Sequence, residues 1–222
     1  SVPTAEGALY EVDTRLRPQG AQGPLAVSLE SFARYQREDA WTWEHMALAR
    51  ARPLYGSDTG KAALSAVVRD VLGADRDPAK LKADVLAMRA EMATHKQARG
   101  ALDAKLMRGG LVDVEFLIHY LQLRDHLGLA PDLFAARDAL IAAGLLPAEL
   151  AEAHRLMTRL LISSRLLAPD AAMPPPAAAQ VLARNCRCDS PADLLDRFAR
   201  ARRCVAAAWQ TVFDQTLEID DE

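Results

Sequence analysis

From residue 57 onward, apolar positions recur at three- and four-residue intervals, and the interruptions fall at glycine and proline. The spacing predicts helices over 59–72, 77–99, 110–127, 131–143, 147–167 and 190–217. A loop over 169–176, with three consecutive prolines, separates the last of them. Segment 147–167 puts Leu150, His154, Met157, Leu160 and Leu161 on one stripe. Segment 190–217 does the same with Leu194, Leu195, Phe198, Ala201, Val205, Trp209 and Phe213. Stripes of that width suit a bundle. Ahead of them, Ser28 reads as the cap of a helix carrying Leu29, Phe32, Ala33 and Gln36. A second helix runs over 41–52 and is ended by Pro53 and Gly56. The first residues predict a strand over 7–12, a glycine turn over 19–23 and a returning strand over 24–27. Such a hairpin is marginal alone, so the chain reads as entering in the middle of a sheet.

Composition strengthens the helical reading. Half of the 222 residues are apolar, mostly Ala and Leu, and only 5% are aromatic; Ala and Leu are the strongest helix formers. The length suits one large domain or two small ones. A net charge of −3 gives no electrostatic footprint of a general nucleic-acid binder. Cys186, Cys188 and Cys204 are odd in number, imply no disulfide framework, and lack the further Cys or His that would complete a metal site. No signal peptide and no long apolar run is present. The expectation is a soluble cytoplasmic protein with free thiols and no membrane partner.

Three stretches carry candidate chemistry. In the first, Asp13, Arg15 and Arg17 alternate on a strand-like run closed by Pro18, so all three share a face. A carboxylate beside two guanidinium forks suits a metal–triphosphate site, although the same pattern also makes a surface ion pair on an edge strand. In the second, Gly109 and Gly110 precede a strongly apolar helix, with Lys105 and Arg108 before them. Helix N-terminal amides favour anions. Asp113 and Glu115 lie in that helix's first turns but do not share a face, so one of them is expected to orient an arginine. A plain glycine helix start explains the same residues. In the third, Glu44 is followed by Arg50 and Arg52 on a helix led by Trp41 and Trp43; a simple packing helix with an exposed Arg face fits equally. Gly56, Ser57 and Asp58 read as a loop and helix cap, because no second acid follows two residues on.

These stretches, in this order, resemble the glutamate–ammonia-ligase adenylyltransferase family. The matching residues are LYEVDTRLRP at 9–18, GPL at 23–25, AWTWEHMALARAR at 40–52 and GGLVDVEF at 109–116. The resemblance implies a mainly α fold: a remnant β-hairpin of a polymerase-beta-like nucleotidyltransferase sheet, followed by an α-helical bundle. It implies the C-terminal portion of a nucleotidyltransferase domain over 1–56 and a helical bundle domain over 57–222. The implied activity moves AMP from ATP to a tyrosine of glutamine synthetase, with Mg²⁺ as cofactor and ATP as substrate. Asp13 takes the place of the third metal carboxylate, with Arg15 and Arg17 beside it on phosphate or locking the strand. Lys105, Gly109, Gly110, Asp113, Glu115, Glu44 and Arg52 are the implied nucleotide-binding set. The implied partners are glutamine synthetase and a PII-type signal protein. The Gly-Ser and Asp-x-Asp strand of the family is absent, so two of three metal carboxylates are missing and the chain alone is expected to be inactive. The alternatives are a helical interaction module for either partner, or the deadenylylating half, which uses phosphate.

Overall fold

The computed structural model describes residues 3–5, 7, 8, 13, 14 and 16–219. The chain divides into two compact units, Ser1–Ala74 and Asp75–Glu222. The boundary falls a helix later than the 56/57 division expected from the sequence, because the helix over 58–72 packs against the two helices before it.

The first unit opens on a two-residue antiparallel ladder, β1 (Pro3–Thr4) with β2 (Gly7–Ala8), in the register Pro3 to Ala8 and Thr4 to Gly7. A 3₁₀ turn, Gly20–Gln22, follows. Then come α1 (Leu29–Glu38), α2 (Thr42–Leu48) and α3 (Asp58–Leu72). The expected hairpin is corrected here. Residues 24–28 form no strand; they lead into the Ser28 cap, whose Oγ accepts from the Ser31 N–H at 3.1 Å. Of the partner strand expected over 7–12, residues 9–12 lie outside the described residues. Ser57 caps α3 in the same way, its Oγ accepting from the Gly60 N–H at 3.1 Å.

The second unit is all helix among its described residues: α4 (Pro78–His95), α5 (Leu111–Asp125), α6 (Leu133–Ala142), α7 (Leu150–Leu167), α8 (Pro176–Asn185) and α9 (Pro191–Phe213). Asp77, Asp132 and Ser190 cap α4, α6 and α9 with their side-chain oxygens, and Pro78 and Pro191 hold the first turns. Helix α5 is the axis of the unit. It packs against α4, α6, α7 and α9, and from Leu111 to Leu123 only Glu115 is not buried. A helix buried around its whole circumference belongs in the middle of a bundle. Helix α9 lies along α7 and closes on α5 through Tyr120, Trp209 and Phe213, whose rings meet at 4.4–4.6 Å. Each leucine fully buried along α5 (Leu117, Leu121 and Leu123) contributes roughly 1.5–3 kcal/mol. Leu195, assigned to the inward stripe of α9, is instead exposed. No helix among the described residues is long and apolar enough to cross a membrane.

Candidate functional site

In the first unit, the strand-like run bends into a turn rather than continuing. Gln19 and Gly20 adopt left-handed backbone angles, φ 62° and 57°, and the Gly20 N–H donates to the Arg17 carbonyl at 2.8 Å. The Arg17 guanidinium spans the turn. Its Nε donates to the Gly23 carbonyl at 3.1 Å, and its Nη1 donates to the Thr14 carbonyl at 2.7 Å and to Thr14 Oγ1 at 2.9 Å. A Cβ on Gly23 would lie 2.0 Å from the Pro18 carbonyl oxygen, so glycine is required there for close backbone approach. Asp13 stands exposed at the head of this turn. Arg15 lies outside the described residues.

Glu44 is half-buried and engaged. Its carboxylate accepts from Tyr35 Oη at 2.9 and 3.1 Å and from the Trp41 N–H at 2.9 Å. It thereby closes the start of α2 and ties that helix to α1. Burial is the largest cause raising the Tyr35 hydroxyl above its ordinary range, and the Glu44 carboxylate adds to it. Arg52 is exposed and lines a groove of about 520 Å³ with Leu16, Leu29, Phe32, Leu64 and Val68.

In the second unit, the residues expected around a nucleotide are Lys105, Gly109, Gly110, Asp113 and Glu115. Asp113 is fully buried. Its carboxylate accepts from Arg89 Nε at 2.5 Å, from Arg89 Nη2 at 3.3 Å and from the Gly109 N–H at 2.7 Å. Asp113 is therefore the acid that orients an arginine, and the arginine is Arg89 of α4. Glu115 is half-buried.

The diglycine start of α5 differs from the open anion cradle expected of it. The N–H groups of Gly110, Leu111 and Val112 donate to the carbonyls of Met107, Ala104 and Lys105, and that of Gly109 to Asp113. These four amides are spent within the loop, so they present no donor to a phosphate. Both glycines are there for space. Gly109 sits at φ +77° with Arg202 O only 2.6 Å from where a Cβ would stand, and Gly110 has Ala104 O and Met107 O at 2.7 Å. Asp103, buried, caps the preceding turn by accepting from the Lys105 and Leu106 N–H groups at 3.2 and 3.1 Å. Arg202 of α9 donates to the Arg108 carbonyl at 2.8 Å. Lys105 is exposed, with Arg108 half-buried beside it.

Sequence reasoning missed Arg89, Asp103, Arg202 and Tyr35. A buried arginine 24 residues from its carboxylate leaves no local signal. Asp103 did leave one, as an Asx-turn acid two residues before Lys105. The thiols of Cys186 and Cys188 are free and buried; burial pushes Cys186 up to about 11 and raises Cys188. Among the described residues, no three His, Cys, Asp or Glu side chains gather as a metal would require.

The fold and motifs define a mainly helical segment of two units, with the D-x-R-x-R turn in the first and a braced diglycine loop in the second. A family model described as glutamate-ammonia ligase adenylyltransferase matches residues 1–67. The bifunctional glutamine synthetase adenylyltransferase/adenylyl-removing enzyme of Brucella suis is 44% identical over 178 residues, 78% of this chain and 18% of that protein. The same-named protein of Xanthobacter autotrophicus is 39% identical over 234 residues, 97% of this chain and 22% of that protein. The chain belongs to the glutamate-ammonia ligase adenylyltransferase family. It spans about a fifth of the length of the curated relatives it matches.

Proposed function

We propose that this chain belongs to an enzyme that moves AMP from ATP to a tyrosine of glutamine synthetase, and that Asp13 supplies one of its active-site carboxylates. What supports the reading most is 39–50% identity to proteins named for that activity, together with the Asp13, Arg15 and Arg17 pattern at the start of the chain. Asp13 is exposed at the head of a braced turn, whereas Asp113 is fully buried and Glu44 half-buried. Arg17 then acts by holding the turn, with three donated bonds fixing where Asp13 stands. Arg15, next in the sequence pattern, is the cation assigned to phosphate in this proposal.

A carboxylate oxygen is the donor type that Mg²⁺ takes. One such carboxylate does not hold the ion, and the described residues bring together no group of three or more suitable side chains, so this chain alone does not fit the metal. The remaining ligands belong, in this proposal, to other regions of the longer polypeptide. Glutamine synthetase and ATP follow as substrates; Lys105, Glu115 and Arg52 are the nucleotide-side candidates whose side chains reach the surface. A PII-type regulator and a cytoplasmic site of action complete the proposal.

The test is incubation of the 222-residue chain with labelled ATP, Mg²⁺ and glutamine synthetase. Transfer of AMP needs charge stabilisation by correctly placed groups, and no label is expected on the synthetase. Mg²⁺-dependent labelling by this chain alone refutes the assignment of an incomplete site.

A further inference from the structure

Tyr35 stands at a junction in the first unit. Its carbonyl accepts from the Asp39 and Ala40 N–H groups at 2.9 and 3.0 Å, which ends α1. Its hydroxyl leaves the helix and donates to the Glu44 carboxylate, with Oε1 at 2.9 Å and Oε2 at 3.1 Å. The neighbouring residues make a second tie, in which His45 Nε2 donates to the Gln36 carbonyl at 2.8 Å. The corner between α1 and α2 is therefore held on both sides. The hydroxyl oxygen keeps lone pairs for a donor of its own, and the backbone N–H of Gln19 is hydrogen-bonded to it. Gln19 belongs to the turn that follows Asp13 and lies just beyond Arg17. The donors all point the same way, from Gln19 N–H through Tyr35 O–H to a carboxylate, and a charged acceptor at the end strengthens such a relay.

The turn has inner ties and an outer one. Arg17 holds the shape of the loop through Thr14 and Gly23, but those bonds do not set where the loop stands over α1. Leu16 lines the groove with Leu29 and Phe32 of α1, yet it is 70% exposed, so that contact is a loose one. The directional tie is the Tyr35 hydroxyl, one helical turn beyond Phe32. Gln19 also carries a left-handed backbone, φ 62°, which a non-glycine residue keeps when its surroundings hold it there. We propose that Tyr35 is a positioning residue for AMP transfer: its hydroxyl locks the Gln19 corner of the turn to Glu44 of α2 and so fixes where the Asp13 carboxylate stands, a role that rests on Asp13 being an active-site carboxylate. Glu44 is then the acceptor that aims the hydroxyl. A reacting group misplaced by about 1 Å costs on the order of a hundred-fold in rate; with the Arg17 ties intact, loss of the outer tie is expected to cost on the order of ten-fold.

The test uses the full-length enzyme carrying Tyr35→Phe, Glu44→Ala or Glu44→Gln. Attachment is followed with labelled ATP and unmodified glutamine synthetase, and amide hydrogen exchange is read over residues 17–23. Tyr35→Phe keeps the ring and removes the junction. Its kcat is expected to fall by on the order of ten-fold, with KM for ATP and for the synthetase within about two-fold of wild type. Exchange over 17–23 is expected to quicken by on the order of ten-fold, while residues 29–38 and 58–72 keep the wild-type pattern. A residue that merely stabilises the unit leaves kcat alone while the unit is folded, so a wild-type kcat, or unchanged exchange over 17–23, overturns the proposal. Glu44→Ala removes the acceptor and is expected to act in the same direction, with a loss that does not multiply with that of Tyr35→Phe. Losses that do multiply overturn the proposal. Glu44→Gln keeps an oxygen that both the Tyr35 O–H and the Trp41 N–H reach, at 3.1 and 2.9 Å. It is expected to recover at least about half of the Glu44→Ala loss on a logarithmic scale. Where Tyr35→Phe disturbs the helices themselves, the Glu44 pair decides: a Glu44→Gln enzyme as slow as Glu44→Ala overturns the proposal. Asp13→Asn runs beside them. Wild-type attachment by Asp13→Asn refutes the functional reading and leaves the exchange result standing. Slow attachment by Asp13→Asn with a wild-type kcat in Tyr35→Phe refutes the positioning role alone.

Discussion

Replacing Asp113 by Asn gives the sharpest test of how the diglycine loop is held. In the native chain, Arg89 Nε and Nη2 and the Gly109 N–H all donate to one carboxylate, and the two side chains are 5% and 0% exposed. An Asn in its place keeps one acceptor for Gly109 but turns an amide N–H toward the guanidinium, leaving a buried cation without its counter-charge. Breaking a buried pair from one side costs about 3–5 kcal/mol. That is a large share of the ~5–15 kcal/mol by which a domain of this size is stable. Arg89→Met strands the carboxylate instead and is expected to cost a similar amount. The double variant Arg89→Met with Asp113→Asn removes both charges, keeps an acceptor for Gly109 and fills the space with a thioether. It is expected to recover well over half of the summed losses, because replacing both partners of a buried pair with neutral groups is often close to neutral. Urea unfolding followed by circular dichroism at the helix band measures all four proteins. A single Asp113→Asn loss below about 1 kcal/mol, or simple additivity in the double variant, refutes the account of this loop as an ion-pair brace.

Other outcomes follow from the same geometry. Gly109→Ala and Gly110→Ala are each expected to cost more than about 2 kcal/mol by urea unfolding, because a Cβ meets backbone oxygens at 2.6 and 2.7 Å that cannot yield. Leu117→Ala, at a fully buried position on α5, is expected to cost about 2–5 kcal/mol by the same assay. Burial, with the Arg137 guanidinium next in importance, pushes His154 down to about 4; its Nδ1 lies 3.3 Å from Arg137 Nη1 and its ring stacks on Phe134. Above pH 6.5 the ring is neutral folded or unfolded. As pH falls from 6.5 toward 4 the unfolded chain takes the proton first, and about 3 kcal/mol of stability is lost. A His154→Leu variant is expected to flatten the urea midpoint against pH over that window.

The helical portion of the fold was largely readable because its signals are local. Apolar periodicity located α3, α4, α5, α6, α7 and α9, and Ser28 and Ser57 cap where a cap residue was expected. Helix α8 was hidden by the three prolines before it. The last of them, Pro176, occupies the first helical turn, where its missing N–H costs nothing, and the alanines after it are strong helix formers. The hairpin failed for a related reason: 24–27 has the apolar content of a strand, but that run only delivers the chain to the Ser28 cap. At the site, residue types were legible and their employment was not. The resemblance put Asp113 and Glu44 in the nucleotide-binding set, yet their partners, Arg89 and Tyr35, are 24 and 9 residues away. The diglycine looked like an anion cradle because spacing says nothing about which carbonyls the amides already face.

AMP incorporation by the full-length enzyme carrying Asp13→Asn tests the functional proposal most directly. Labelled ATP and unmodified glutamine synthetase measure attachment, and AMP-bearing synthetase with phosphate measures removal. The account expects attachment to fall by on the order of a hundred-fold or more, the scale of losing a group that stabilises transition-state charge, while removal persists. Attachment at the wild-type rate contradicts it.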